Sequence, residues 1–408
     1  MAAVGRPPSS RLAGALQQLY ARVPLGMRLG LEPMRAACAR AGHPERAFEA
    51  VHVGGTNGKG STSAMVESMA RASRVRSGLF TSPHLTRFAE RIRVGGRPID
   101  DDVLTSVLED ALRIGDDLSF FETATLAAFL AFRAAEVELG VIEVGIGGRL
   151  DATNVLVAPR CTAITGVAFD HRDKLGDTLA EIAREKAAIA KRDVPMVLGP
   201  MPEEARAAAI EVARAAGARL VDAEPLPPEV IVGLSGAHQR DNARVAWTIG
   251  AELGFRGDAR ARGLSEVQWP GRLERIEVGS GDLAGPYLLD GAHNPDGMAA
   301  LLSALSSVEV GAVVFGALAD KSWREMLSLL GALDAPRIYT VPGGRAPVSP
   351  SELSTVAPGR SSATVREGLA LARGIAGGAP VIVCGSLYLV GEARAILLDL
   401  PLDPIVAL

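Results

Sequence analysis

The segment 51–62, VHVGGTNGKGST, constrains the fold more than any other part of the chain. A short apolar run ends in a glycine-rich turn with one lysine, and a helix-compatible stretch, 63–72, follows. This order predicts a phosphate-binding loop, because glycines let the backbone approach an anion while the helix N-terminus and the lysine hold it. Gly60 separates Lys59 from Ser61, which departs from the plain nucleotide-loop pattern. An ordinary glycine turn remains the alternative.

Composition excludes several classes of protein. The 408 residues are 48% hydrophobic and 22% charged, which is typical of a globular chain of two or three domains. A net charge of −4 provides no basic surface, so we expect no nucleic-acid partner. No window approaches the ~20 apolar residues of a membrane span, and the three cysteines lack paired spacing. Both features are typical of a cytoplasmic protein without membrane association.

Apolar runs alternate with helix-compatible segments along most of the chain. Strands are expected at 77–81, 141–144, 161–167 and 194–198, with helices at 101–114, 121–138, 178–190 and 203–216. A second alternation begins after the Gly/Ser-rich stretch 278–285. The pattern predicts an α/β fold, with a parallel-sheet domain carrying the phosphate-binding loop at 1–277 and a smaller Rossmann-like α/β domain at 278–408.

Four polar features follow predicted strands of the first domain: the Lys59 loop, Ser82, Glu143 and His171. Carboxyl ends of parallel strands share one edge of the sheet, so we expect these side chains to lie together. A carboxylate, a hydroxyl and an imidazole beside phosphates are suitable ligands for Mg²⁺. Alternatives stay open: Glu143 in a buried ion pair with an arginine, and His171 as a hydrogen-bonded or surface histidine.

Two further sets of residues have an open interpretation. Lys186 lies mid-helix among charged residues, and by itself this pattern favours a solvated side chain with i,i+4 partners. Asp290 and His293 follow a predicted strand of the second domain, where they are either a second half of the site or simple turn residues.

Several motifs in fixed order carry a family resemblance. They are GTNGKGS at 55–61, TSPH at 81–84, EVGIGGRLDATN at 143–154, DH at 170–171, REK at 184–186, HQ at 238–239, NA at 242–243, PGR at 270–272 and DGAHNP at 290–295. Together they resemble the folylpolyglutamate synthase/dihydrofolate synthase branch of the Mur ligase family. The inserted Gly60 and the long 143–154 segment favour this branch over the cell-wall Mur enzymes.

The resemblance implies an ATP-dependent amide ligase that uses Mg²⁺. ATP would phosphorylate a substrate carboxylate, and the amine of L-glutamate would then displace phosphate from the acyl phosphate. The acceptor would be dihydropteroate, a reduced folate, or both. Two alternatives remain, namely a ligase that only extends folates, and a nucleotide-gated binding module or ATPase without ligase activity. We expect a monomer whose partners are small-molecule substrates.

Motif by motif, the resemblance also implies roles for individual residues. Lys59, Glu143, His171 and Lys186 would be catalytic. The nucleotide would be bound by Gly58, Lys59, Gly60, Ser61, Thr62, Asn242, Arg272 and Asp290, and the metal by Ser82, Glu143, His171 and Lys186, the last as a carbamate. The pterin would contact Phe121, Glu122, Thr123, Leu150, Asp151 and Ala152, and the glutamate side would involve His293 and Ser386. The turn at 315–322 matches the family only partly, which affects the glutamate side most.

Overall fold

The chain forms two α/β units, each built around a mainly parallel sheet. The computed structural model describes residues 10–23, 30–344 and 346–403. The strands of the first sheet are β1 (Glu49–Gly54), β2 (Ser77–Phe80), β3 (Ile92–Val94), β4 (Arg97–Pro98), β5 (Leu139–Glu143), β6 (Cys161–Ile164), β7 (Pro195–Leu198) and β8 (Arg219–Asp222). Their order is β4-β3-β2-β5-β1-β6-β7-β8. β3 and β4 form an antiparallel hairpin, β3 is antiparallel to β2, and the strands from β2 to β8 in this order are parallel.

Helices cover the first sheet. They are α1 (Ser10–Tyr20), α2 (Glu32–Arg40), α3 (Lys59–Ala72), α4 (Asp101–Ile114), α5 (Phe120–Ala134), α6 (Arg172–Leu175), α7 (Leu179–Ala187), α8 (Glu203–Ala215), α9 (Ala237–Glu252) and α10 (Gly257–Glu266). Helix α7 begins with a capping box: Thr178 Oγ1 accepts from Glu181 N at 3.2 Å, and Thr178 N donates to the Glu181 carboxylate at 3.0 Å. Such a capping box satisfies backbone groups that the first turn leaves unpaired.

The second unit has a six-stranded sheet in the order β13-β12-β11-β14-β10-β9. Its strands are β9 (Glu274–Val278), β10 (Gly285–Leu289), β11 (Ala312–Phe315), β12 (Arg337–Tyr339), β13 (Arg360–Ser361) and β14 (Val381–Cys384). Its helices are α11 (Pro295–Leu305), α12 (Trp323–Leu329), α13 (Pro350–Val356), α14 (Val365–Ala376) and α15 (Leu387–Leu398). The mixed α/β architecture with two mainly parallel sheets confirms the predicted fold class.

The stretch 278–285 is a connection inside the second sheet. β9 pairs antiparallel with β10, with Val278 opposite Gly285, so the chain already belongs to the second sheet at Glu274. The predicted division at 277/278 therefore falls at the end of β9, and we propose that the second unit begins before this strand. The glycines and serines that suggested a linker form the loop between two paired strands.

Helix α3 is the central helix of the first unit. It is buried from Gly60 to Ala70 and packs against the sheet on one side and against α9 and α10 on the other. The sequence interpretation began this helix at Ser63 and did not predict α10. The start of α3 was missed because this helix is buried all round and lacks the amphipathic period that marks a surface helix. Helix α10 was missed for a different reason: only Ala259, Gly263 and Leu264 of its ten residues are buried, so its apolar pattern is short. The structure also ends α5 at Ala134, four residues before the predicted end.

No helix in the described part of the chain is both long enough and apolar enough to cross a bilayer.

The contact between α10 and α3 depends on a glycine, and we predict that Gly263→Ala destabilises the protein. A Cβ on Gly263 would lie 2.5 Å from Met69 Cα and 2.6 Å from Met69 N, which forces two helix backbones apart. The expected loss is about 1–3 kcal/mol in the free energy of unfolding, measured by urea denaturation. Gly257→Ala, in the same helix with open space around it, is the matched control. Equal stability of both variants would contradict the prediction.

Candidate active site

The phosphate-binding loop joins β1 to α3, with Gly58 in the left-handed region at φ 86°. A Cβ at this position would lie 2.0 Å from Asn242 Oδ1, so the turn tolerates only glycine. Lys59 Nζ donates to Thr56 O at 3.1 Å, and Thr62 Oγ1 to Asn242 O at 3.4 Å. Among the described residues, the buried Ser61 hydroxyl has no hydrogen-bond partner, which leaves it available to a ligand. The structure thus brings Asn242 against the loop.

The inserted glycine has a packing partner that the sequence did not reveal. A Cβ on Gly60 would lie 3.1 Å from Nε1 of Trp269, which precedes the second unit. The Arg93 guanidinium lies 4.8 Å from the centroid of the Trp269 ring. Gly60 therefore leaves room for a tryptophan that covers the start of α3.

Glu143 ends β5, and its strand neighbours carry the other polar features of the edge. Strands β2, β5, β1 and β6 are adjacent and parallel, so their carboxyl ends lie at the same edge of the sheet. Glu143 lies at one of these ends, and the segments that follow the other three carry Ser82, the phosphate-binding loop and His171. The Glu143 carboxylate accepts from Ser82 N at 3.1 Å. Burial raises the pKa of Glu143, while the nearby Lys59 charge opposes that shift. Among the described residues Glu143 forms no ion pair, so the structure does not support the arginine alternative.

Lys186 lies on α7 with only 4% of its surface exposed, so the interpretation as a solvated side chain is wrong. Its Nζ donates to Gly55 O, at the base of the phosphate-binding loop, at 2.9 Å. Burial, and then the charge of Lys59, lower the pKa of Lys186 to about 7. A large fraction of this amine is therefore neutral near pH 7.

A cluster of charged residues joins the two units beside His171. Lys321 Nζ, from the second unit, lies 2.7 Å from Asp170 Oδ1 and 3.3 Å from His171 Nε2. His293 Nε2 lies 3.8 Å from Asp170 Oδ2. Burial alone would raise the pKa of Asp170, but Lys321, His293 and His171 hold it below its usual value. Burial lowers the pKa of His171 to about 3 and that of His293 to about 4, so both imidazoles are neutral at pH 7.

The buried Asp290 carboxylate connects two backbone segments of the second unit. Its carboxylate accepts from Leu273 N and from Ala292 N, both at 2.9 Å. Burial raises its pKa, and the charge of Arg272 opposes the shift. A Cβ on Gly291 would lie 2.2 Å from the Arg272 guanidinium, so the arginine lies directly against the turn after β10. Asp290 and Arg272 are thus brought together at the junction of the units.

The two predicted pterin segments are adjacent. The Phe121 ring lies over the backbone of Gly145, where an added Cβ would be 2.5 Å from the ring. Two carboxylates of these segments are engaged locally: Glu122 accepts from Ser119 N at 2.8 Å, and Asp151 accepts from Ile146 N at 2.9 Å. The remaining members follow the same two segments: Thr123 is the fourth residue of α5, and Leu150 and Ala152 flank Asp151.

Ser386 and His293 lie at helix starts of the second unit. Ser386 caps α15 by accepting from Tyr388 N at 3.2 Å, and 3% of its surface is exposed. His293 Nδ1 lies 2.8 Å from Gly291 O, which directs its other nitrogen towards Asp170. Of the two predicted glutamate-side residues, the structure therefore connects His293 to the charged cluster and gives Ser386 a helix cap.

Sequence reasoning missed the roles of Lys321, Asn57 and Trp269. Each makes its contact across a long stretch of chain, so no local pattern marks it. For Lys321, the one signal was its place in the 315–322 turn, which matches the family only partly.

Two family models match the chain. The Mur ligase middle domain matches residues 53–195, and the Mur ligase glutamate ligase domain matches residues 271–387. The second match begins before β9, in agreement with the pairing of β9 and β10.

Curated relatives match over most of the chain. A probable bifunctional folylpolyglutamate synthase/dihydropteroate synthase of Haloferax volcanii is 36% identical over 90% of this chain and 48% of its own length. The chain thus spans about half of that protein. A dihydrofolate synthase/folylpolyglutamate synthase of Bacillus subtilis is 36% identical over 76% of this chain and 81% of its own length.

Solved structures show the same arrangement. E. coli FolC in complex with DHPP and ADP has a TM-score of 0.85 at 28% identity, covering 97% of this chain and 99% of that one. A bifunctional folylpolyglutamate synthase/dihydrofolate synthase with Mn, AMPPNP and L-glutamate bound has a TM-score of 0.83 at 29% identity, covering 96% and 100%.

A phosphate-binding loop on a central parallel sheet, followed by a second α/β unit that reaches back to the same edge, defines a Mur-type ligase. Within that class, the chain belongs to the folylpolyglutamate synthase/dihydrofolate synthase family.

The charged cluster predicts a pH-dependent contribution to stability. Because the Asp170 pKa is lower in the folded state, the Lys321 contact stabilises the protein above the unfolded carboxyl pKa of about 3.9 and less as the pH falls below it. Lys321→Met is therefore expected to lower the unfolding midpoint at neutral pH and to differ less from wild type in acid. Thermal unfolding across pH measures this, with the exposed Lys174→Met as control. A difference independent of pH would contradict the prediction.

Proposed function

We propose that the protein joins L-glutamate to dihydropteroate, to reduced folates, or to both, at the expense of ATP. The observation that carries the proposal is the convergence of Lys59, Glu143 and Lys186 at the phosphate-binding loop, opposite His293 and Lys321 of the second unit. Such an arrangement suits a reaction between a nucleotide held by one unit and an amine delivered by the other. The relatives named for this activity, and the solved structures that contain DHPP, ADP or L-glutamate, support it.

The proposed chemistry has two steps. A substrate carboxylate first attacks the γ-phosphorus of ATP, which forms an acyl phosphate and releases ADP. The glutamate amine then attacks the acyl carbon and loses a proton, and the tetrahedral intermediate expels phosphate. Lys59 and the N–H groups of Gly60, Ser61 and Thr62 stabilise the charge on the transferred group. The contact of the Phe121 ring with the Gly145 backbone holds together the two segments proposed to bind the pterin.

The residues at the sheet edge fit a divalent cation. In the described ranges, no three His, Cys, Asp or Glu side chains form a complete metal cluster. Mg²⁺ needs none, because it usually takes one or two carboxylates and completes its shell with waters and phosphate oxygens. Glu143, Ser82 and His171 supply a carboxylate, a hydroxyl and an imidazole for it. When bound, the ion would polarise the phosphoryl oxygens.

Lys186 fits this set only after a chemical change, since an ammonium repels a cation. Its neutral amine adds to the carbon of CO₂ and releases a proton, which gives an anionic carbamate. The lowered pKa of about 7 supplies the neutral amine that this addition needs. We therefore propose that Lys186 acts as a carbamate. The monomeric state and the cytoplasmic location remain predictions.

The substrate range has a direct test. Purified protein is incubated with Mg²⁺, ATP, L-glutamate and either dihydropteroate or tetrahydrofolate, and products are identified by mass spectrometry. We expect a glutamylated product and one ADP per bond formed. Product from tetrahydrofolate alone would indicate a folate-extending ligase. ATP hydrolysis that responds to neither acceptor nor glutamate would reject ligase activity in favour of an ATPase.

Lys186→Ala tests the carbamate. We expect turnover to fall by at least about 100-fold, the range seen when a charge-stabilising group is removed, while binding of an ATP analogue measured by calorimetry changes little. Added short carboxylates should restore part of the turnover. Lys191→Ala, a half-buried lysine that donates to Asn154 Oδ1, is the matched control. Full activity of the Lys186→Ala variant would refute the role.

A further inference from the structure

Asn57, in the phosphate-binding loop, is hydrogen-bonded to the second unit. Its Nδ2 donates to Asp296 Oδ2 at 2.7 Å and to Asn294 Oδ1 at 3.3 Å. In return, Asn294 Nδ2 donates to Asn57 Oδ1 at 2.9 Å. Both ends of the Asn57 amide are therefore bound by residues more than two hundred positions later in the chain.

The partner side of this contact is held rigidly by a helix start. Asn294 is the N-cap of α11, is 3% exposed, and accepts from Gly297 N at 2.8 Å through the same oxygen that meets Asn57. Asp296 lies in the first turn of α11, where a carboxylate is favoured by the helix dipole. Any movement of Asn57 relative to α11 therefore breaks bonds on a fixed element.

The loop side is held as firmly. The carbonyl of Asn57 accepts from Thr165 Oγ1, just after β6, at 2.7 Å. The next residue, Gly58, is confined by Asn242. The backbone of Asn57 is thus bound within the first unit, whereas its side chain is hydrogen-bonded to the start of α11. None of the phosphate contacts proposed above involves this side chain.

We propose that Asn57 is a positioning residue that couples the conformation of the phosphate-binding loop to the placement of the second unit. The inference rests on the proposed ligase function. α11 follows the turn that carries His293, so its register relative to the loop sets where the second unit presents the amine to the acyl phosphate. Amide formation needs the reacting atoms about 3–3.5 Å apart, and a displacement near 1 Å costs about 100-fold in rate.

The test is a double-mutant cycle between Asn57→Ala and Asp296→Ala. For Asn57→Ala we expect kcat to fall and KM for glutamate to rise, with kcat/KM lower by about 10- to 100-fold. The dissociation constant of an ATP analogue, measured by calorimetry, should stay within about threefold because the loop backbone is unchanged. Asp296→Ala should act in the same direction. The double variant should be no worse than Asn57→Ala, because Asn57→Ala alone already removes the contact with Asp296.

Exchanging the amide of Asn57 and the carboxylate of Asp296 tests whether the contact can be restored. Asn57→Asp places a carboxylate beside Asp296 and should lower kcat further, while adding Asp296→Asn should restore part of it by recreating an amide–carboxylate pair. Asp334→Ala, an exposed aspartate of the same unit, is the control and should change nothing. Additive effects, or a loss confined to ATP affinity, would overturn the proposal and make Asn57 a phosphate contact.

A measurement without turnover separates this inference from the proposed function. Small-angle scattering with AMPPNP should give a larger radius of gyration for Asn57→Ala and for Asp296→Ala than for wild type. If wild type makes no glutamylated product, the ligase proposal fails, and the scattering result still decides the interdomain contact. Unchanged scattering of both variants would overturn the coupling.

Discussion

Positive charge that is wholly or partly withdrawn from water at one edge of the first sheet is the constraint on which the site depends. The buried Lys186 and the half-buried Lys59 and Lys321 converge there, together with the buried carboxylate of Glu143 and the half-buried carboxylate of Asp170. Buried charges are tolerated only when they are paired, neutralised or bound to a ligand. The structure shows two of these solutions: Lys321 pairs with Asp170, and Lys186 moves towards its neutral form. Within the described part of the chain, Lys59 Nζ donates only to a backbone carbonyl, which suits a residue that binds phosphate.

The same edge explains why the chain needs two units. The first supplies the phosphate-binding loop and the residues that follow β2, β5 and β6. The second reaches this edge through His293 and Lys321, and through Asn294 and Asp296 at the start of α11. All four follow or lie near the carboxyl ends of β10 and β11. Two sheets that face each other by their carboxyl edges can thus enclose a nucleotide and bring an acceptor and an amine together.

Much of the fold was predictable because hydrophobic period and glycine placement are local. Strands β1, β2, β5, β6 and β7 follow from neighbouring residues alone. The boundary predicted at 278, which we propose to move before β9, shows the limit, since Gly/Ser-rich loops within a sheet and between domains have similar composition. The true start of α3 was missed because burial on all sides removes the amphipathic signal, and α10 was missed because only three of its ten residues are buried. For Lys186, the local charge pattern favoured a solvated side chain, whereas the structure buries it against the phosphate-binding loop.

By itself, the sequence determined the phosphate-binding loop, the α/β class and the strands whose ends carry Ser82, Glu143 and His171, because each depends on residues close together in the chain. Only the tertiary structure decided that Lys186 is buried beneath the loop, that Trp269 covers Gly60, and that Lys321 contacts Asp170 and His171. It also revealed the link from Asn57 to α11. These contacts join residues that are distant in sequence, so their energies depend on how the two units pack and leave no periodic trace in the chain.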